Sequence, residues 1–162
     1  MKVIRVILNI LSWPVYLCIA VGLLIAAPMV AGYRPVVVLS GSMEPTYHVG
    51  SIIYYKEASF EQIAQGDPIT FHSEEGGTLI THRVVEKSEI NREFVTKGDA
   101  NKTVDPNPVS YGNVAGKTSK LTIPYAGYLI TIGRKPIVMA ILAMILVMGM
   151  LGDNWMPEKE KG

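Results

Sequence analysis

Cysteine is almost absent from this chain of 162 residues: Cys18 is the only one, and it sits inside an apolar run. That excludes a disulfide framework, a cysteine-rich metal site and a cysteine nucleophile. A domain outside the cytoplasm would have to fold on its hydrophobic core alone. Clustered charge is missing as well. Lys and Arg number 15 against 14 Asp and Glu, the net charge is +1, and no Lys/Arg block occurs. Nucleic acid is therefore not an expected partner. The acidic residues show no recognisable ligand spacing, so neither a metal nor another cofactor is expected. Histidine is scarce: His48, His72 and His82 are the only three, which narrows the search for a general base.

What the chain has in excess is uncharged sequence near its two ends. From Val6 to Tyr33 runs a stretch of 28 residues without a formal charge. At ~1.5 Å per residue, a helix of that length crosses the ~30 Å hydrocarbon layer with residues to spare. Lys2 and Arg5 supply the basic start of a secretory leader, but the run is about twice the ~7–15 apolar residues of one, so a retained anchor is expected. Pro14 and Pro28 predict a spanning helix that begins near the first and is finished by the second. Pro136 to Gly152 is a second uncharged run, 17 residues of mostly Ile, Leu, Val, Met and Ala. It lies at the short end of the ~17–25 residues that span a bilayer. Trp155 follows where an interfacial anchor would sit, then Lys159 and Lys161. An unbroken apolar helix buried in protein needs apolar neighbours all round, which a small polar middle cannot supply; a second span is expected. Lys2, Arg5, Lys159 and Lys161 favour cytoplasmic ends and an outward-facing middle, a bias diluted by Arg34, Arg134 and Lys135. The expected organisation is an anchor over 1–33, a β domain over 34–133, a second membrane helix over 134–156 and a polar tail over 157–162.

The middle reads as β. Val36 to Leu39, Gly50 to Tyr55, Pro68 to Phe71, Thr78 to Lys87, Phe94 to Lys97 and Lys120 to Tyr125 are the expected strands. Glu74-Glu75-Gly76-Gly77 predicts a hairpin turn before Thr78. Asp99 to Asn113, dense in Asp, Asn and Pro, reads as a loop, and Ala58 to Ala64 as one short helix. Met43 and the Tyr54-Tyr55 pair suit core packing as well as contact with lipid or substrate.

Chemistry is concentrated around one serine. Ser42 stands in the small-residue turn Ser40-Gly41-Ser42-Met43-Glu44-Pro45, close behind the first apolar run and so close to a membrane surface. A serine hydroxyl is a weak nucleophile until a base takes its proton. In the expected strand, His82 shares a face with Ile80 and Val84, while Arg83, Val85 and Lys87 take the other. That phase turns His82 inward; His72 falls opposite Phe71 near the hairpin tip, and His48 lies beside a turn. A serine–histidine pair usually has a third group that orients the imidazole. Asp99 and Asp105 are both candidates, and turn formation explains either one equally well, since Asp105 precedes Pro106.

Five motifs occur in order: Ser40-Gly41-Ser42-Met43-Glu44-Pro45, Gly66-Asp67-Pro68-Ile69-Thr70-Phe71, Thr81-His82-Arg83-Val84, Thr96-Lys97-Gly98-Asp99 with Asp105 beyond, and Pro124-Tyr125-Ala126-Gly127-Tyr128. Together they resemble type I signal peptidases over nearly the whole middle domain. One branch of that family uses a Ser-Lys dyad; the branch of the endoplasmic reticulum, archaea and some Gram-positive bacteria has histidine in place of the lysine. Because His82 precedes Arg83-Val84, the chain resembles the Ser-His branch. The resemblance implies Ser42 as nucleophile, His82 as general base, Asp105 as orienting acid and Asp99 in support. It implies an oxyanion hole from the Ser40 hydroxyl and the Ser42 N–H, and a mainly β fold with an apolar membrane-facing surface. Ala100-Asn101-Lys102-Thr103 departs from the paired asparagines common at that place in the family.

The expected function is removal of signal peptides after small residues at −1 and −3, by a multi-pass membrane enzyme with its catalytic domain outside the cytoplasm. Its partners would be preprotein signal peptides and the lipid bilayer; accessory subunits are not specified by the sequence. A strand edge suits such an extended segment by β-addition. Two other classes fit a membrane-anchored β domain: a catalytically silent module, against which the Ser42/His82/Asp105 set argues, and a self-processing regulatory serine protease, disfavoured by the absence of lysine at position 82.

Overall fold

The computed structural model describes residues 2–73 and 77–155. The turn residues Glu74, Glu75 and Gly76 and the polar tail with Lys159 and Lys161 lie outside them. The chain divides into two compact units, one spanning Pro28–Leu129 and one built from the two ends, up to Ala27 and from Ile130 onward.

In the end unit, α1 (Lys2–Ala26) packs against α3 (Pro136–Trp155). The segment Trp13–Ala31 is long and apolar enough to cross a membrane. Among the described residues, the C-terminal run meets that standard only when α2 (Ala126–Gly133) and Pro136–Met148 are counted as one sharply bent span. The helix does not begin near Pro14, as the proline predicted; it runs through it from Lys2. Proline removes one ladder bond and crowds the carbonyl one turn back. Both costs are local, and the helical turns on either side of Pro14 are formed, so the helix continues through it. Pro28 does mark the other limit: α1 stops at Ala26 and a 3₁₀ turn, Ala27–Ala31, follows.

The central unit is one antiparallel sheet of seven strands: β1 (Arg34–Val37), β2 (Ile52–Lys56), β3 (Pro68–His72), β4 (Leu79–Ser88), β5 (Glu93–Lys97), β6 (Val109–Ser110) and β7 (Val114–Ile123), in the order β1-β2-β7-β3-β4-β5-β6. β7 inserts between β2 and β3 and joins the two halves of the sheet. It starts six residues before the expected Lys120. Gly116, Lys117 and Ser119 are weak strand formers, but Gly116 is where β7 crosses closest to β2: a Cβ there would stand 2.3 Å from the Lys56 carbonyl oxygen. The expected loop Asp99 to Asn113 contains β6 and a 3₁₀ turn, Tyr111–Asn113. The expected helix at Ala58 to Ala64 is only the 3₁₀ turn Phe60–Gln62, closed by a capping box from Ser59.

Two apolar clusters hold the sheet. Phe60, Ile63, Ile69, Phe71, Val84, Phe94 and Val109 form the larger. Met43, Tyr47 and Ile53 form the second, with Val36 and Val38 packed on it. Tyr54 and Tyr55 are buried, which makes them core residues rather than lipid contacts. Strict alternation fails on β4, because a register shift between Val84 and Glu86 adds a residue against β5. Lys87 therefore does not follow Arg83 outward; its Nζ lies 4.3 Å from the centre of the Phe60 ring.

Candidate active site

Ser42 sits on a 3₁₀ turn, Gly41–Met43, that follows β1. The buried Met43 side chain anchors the turn beside Tyr47 and Ile53. The loop 98–101 fastens it from the other side: the Ser42 carbonyl accepts the Ala100 N–H at 2.9 Å. Gly98 must lack a side chain there, since a Cβ would stand 2.6 Å from that same carbonyl oxygen. Ser40 precedes the turn in extended conformation, and its Oγ lies 3.3 Å from Ser42 Oγ.

His82 projects from β4, where it pairs with Ile69 of β3. Its side chain is only 12% exposed, against 60% for His48. Nδ1 of His82 lies 2.6 Å from Asp105 Oδ2, which also accepts the Thr96 hydroxyl at 2.6 Å. The Asp105 main chain is held too, its N–H donating to the Thr96 carbonyl at 2.8 Å. A carboxylate can only accept, so in a neutral imidazole the proton belongs on Nδ1 and the lone pair on Nε2. Phe71 sets its ring edgewise to the imidazole, 6.3 Å between centres. His82 and Ser42 line one cleft of about 670 Å³ with Ser40, Met43, Ile80 and Asn101. No hydrogen bond joins Ser42 to His82 among the described residues.

Asp99 is differently occupied. Arg83 grips it with both arms, Nε to Oδ1 at 2.7 Å and Nη2 to Oδ2 at 2.6 Å, and the Thr46 hydroxyl donates at 2.5 Å. The Arg83 hydrogen bonds hold its carboxyl below the usual carboxylate range, and Asp99 in turn raises the guanidinium. Arg83 also donates to the Gly66 carbonyl at 2.8 Å. This clamp ties the segment after Ser42 to β4 and to the loop 98–101. Burial raises the Tyr47 phenol beside it, against a smaller opposing effect of Arg83. His72 is exposed, and His48 pairs with Glu44 at 2.6 Å. Of the three histidines, only His82 is thus brought to Ser42 and an acid together.

A family model described as signal peptidase, peptidase S26, matches residues 10–93, more than half of the chain. The chain belongs to that family. Its S26 match includes Ser42 and His82 and stops before Asp99 and Asp105. Signal peptidase I W of Bacillus subtilis is 41% identical over 100 residues, covering 60% of this chain and 52% of that protein. The signal peptidase complex catalytic subunit SEC11C of Homo sapiens is 33% identical over 124 residues, covering 70% of this chain and 64% of that protein. The chain thus spans between about half and two-thirds of these curated relatives. Sequence reasoning missed three polar groups around the candidate site: the Thr46 and Thr96 hydroxyls and the clamping guanidinium of Arg83. Thr96 had a signal, since a strand residue paired inward next to a histidine-bearing strand is placed to reach it. Thr46 had none, because its partner is 53 residues away.

Proposed function

We propose that the protein is a membrane-anchored serine endopeptidase that removes signal peptides from secreted preproteins. The observation that carries the proposal is the 2.6 Å contact between His82 Nδ1 and Asp105, in a cleft that also holds Ser42. Ser42 Oγ attacks the scissile carbonyl as its proton passes to His82 Nε2. Asp105 orients the ring and stabilises the imidazolium. The Ser42 N–H and the Ser40 hydroxyl receive the oxyanion. His82 then protonates the departing amine, and the acyl-enzyme is hydrolysed by a water that His82 activates in turn. Asp99 and Arg83 keep the serine turn and β4 in register.

Two free strand edges support an extended substrate. Val38 turns its N–H to the Ser51 carbonyl and its carbonyl to the Gly50 N–H, both at 2.9 Å. Alternation therefore turns the main-chain groups of Leu39 toward the cleft. Across it, β4 pairs with β5 only from Arg83 onward, so the inner edge at Leu79 and Thr81 is open. A peptide segment lying between these edges gains strand pairing on both sides. Val36, Val38, Ile53 and Ile80 line the floor, and their bulk leaves room for small residues at −1 and −3. The chain is anchored by Trp13–Ala31 and by a second, C-terminal span, with the β unit over 34–133 outside the cytoplasm. Such tethering raises the effective concentration of a substrate whose apolar core lies in the same bilayer. Expression of the full chain in membranes with a model preprotein tests the proposal: release of the mature form must occur and must vanish in Ser42→Ala.

A further inference from the structure

Asn101 is the one residue of the loop 98–101 and its immediate continuation that lines the cleft; Ala100, Lys102 and Thr103 are exposed and do not. Its main-chain N–H is engaged by the Gly98 carbonyl at 3.0 Å. Its side chain is placed by the same glycine: the point where a Gly98 Cβ would stand is 2.6 Å from the Ser42 carbonyl oxygen and 2.8 Å from Asn101 Nδ2. The carboxamide thus lies against Gly98, on the side where that glycine also approaches the Ser42 carbonyl. Among the described residues, the side-chain amide has no hydrogen-bond partner, although the residue is half-buried. A carboxamide carries two donors and an acceptor, and those of Asn101 stay open to the cleft: neither its nitrogen nor its oxygen is among the buried polar atoms left without a partner. An extended peptide in the cleft brings the complementary N–H and C=O groups at each residue.

We propose that Asn101 is a substrate-binding residue whose carboxamide hydrogen-bonds the main chain of the bound preprotein next to the scissile bond. The inference rests on the peptidase function proposed above. Asn101 differs from the Asp99 clamp in that its side-chain polar groups make no hydrogen bond among the described residues. It acts on peptide main chain and not on side chains, so it strengthens binding of every substrate without changing preference at −1 or −3.

The test uses the full chain in detergent micelles, with Asn101→Leu and Asn101→Ser as paired variants. Two substrates are compared: a peptide spanning a preprotein cleavage site, and a small fluorophosphonate that labels Ser42 and has no peptide main chain. Both variants should lose about tenfold in kcat/KM on the peptide, the worth of one shielded hydrogen bond, while labelling of Ser42 changes less than twofold. A second series replaces single substrate amides by esters or N-methyl amides on both sides of the scissile bond. At one position, the replacement should cost the wild type about tenfold and the variants less than twofold, because the bond it removes is already gone. Equal penalties at every position, or equal losses on peptide and fluorophosphonate, would overturn the inference. Failure of the wild type to cleave the peptide while Ser42 is still labelled would instead overturn the function on which it rests.

Discussion

Asp105→Asn tests the orienting role proposed for Asp105 apart from the rest of the fold. The carboxylate accepts from His82 Nδ1 and from Thr96 through one oxygen, Oδ2, each at 2.6 Å. An asparagine at this position can offer an NH₂ group to the ring. Nδ1 must then accept, the imidazole proton moves to Nε2, and the ring has no lone pair for the Ser42 hydroxyl. Even with the amide in its other orientation, no anion remains to stabilise the imidazolium. Loss of this group from serine protease triads costs ~10⁴ in rate, or about 5.5 kcal/mol of transition-state stabilisation. Ground-state binding should be unchanged, because Asp105 does not line the cleft shared by Ser42 and His82. The fold should survive, since the Asp105 N–H to Thr96 carbonyl bond does not involve the side chain. The assay is single-turnover cleavage of a preprotein peptide at saturating enzyme, with melting temperature as the control. A loss in kcat of less than tenfold by a folded variant refutes the orienting role. A loss shared between kcat and KM would mean that the loop, and not the imidazole, had been disturbed.

Ser42→Ala and His82→Ala should each reduce turnover below a few per cent of wild type while membrane extraction and melting stay unchanged; higher residual turnover in either variant removes that residue from the mechanism. His82→Lys should not restore activity, because the adjacent Asp105 carboxylate would favour the charged ammonium and deprive the site of a base; robust processing by that variant would show the site indifferent to base identity. Asp99→Asn should cost about 1–3 kcal/mol of stability, between exposed and fully buried ion pairs, seen as a lower melting temperature. The wild-type Asp99 carboxyl is depressed in the folded state, so its stabilisation is complete above the unfolded value of about 3.9 and is lost as pH falls through the folded value. Melting scans from pH 7 to pH 3 should show that acid-dependent loss in wild type and a flatter profile in Asp99→Asn; superimposable profiles would contradict it. Gly98→Ala should be folded and poorly active, since its methyl group meets a backbone oxygen of the nucleophile turn at 2.6 Å; full activity would show that the turn tolerates displacement.

Much of the fold follows from local pattern. The strand at Phe94 to Lys97 and the β3–β4 hairpin were legible because turn residues bound alternating, β-branched runs, a property of neighbours in sequence. The early half of β7 was not, because Gly116 and Lys117 are suited to that strand only by the close approach of β2. Lys87 was misplaced for a similar reason: a bulge exists only in relation to a partner strand. Pro14 misled because proline's cost is local and the turns on either side can carry it, which the residue itself does not record.

The same division runs through the site. Ser42 in its turn, the inward phase of His82 and the scarcity of other histidines are facts of composition and spacing, and by themselves they singled out Ser42 and His82 as the pair now proposed as nucleophile and base. Asp99 and Asp105, six positions apart on one segment rich in Pro and Asn, could not be told apart by any local rule. Only the tertiary structure separates them, by giving Asp99 two arms of Arg83 and giving Asp105 the imidazole and Thr96. The physical reason is that a carboxylate's role is set by the donors that reach it, and those donors lie on strands and turns distant in sequence. The same holds for Asn101, which shares the Ser42 cleft and lies against Gly98, where a side chain would collide with both the Ser42 carbonyl and the Asn101 carboxamide.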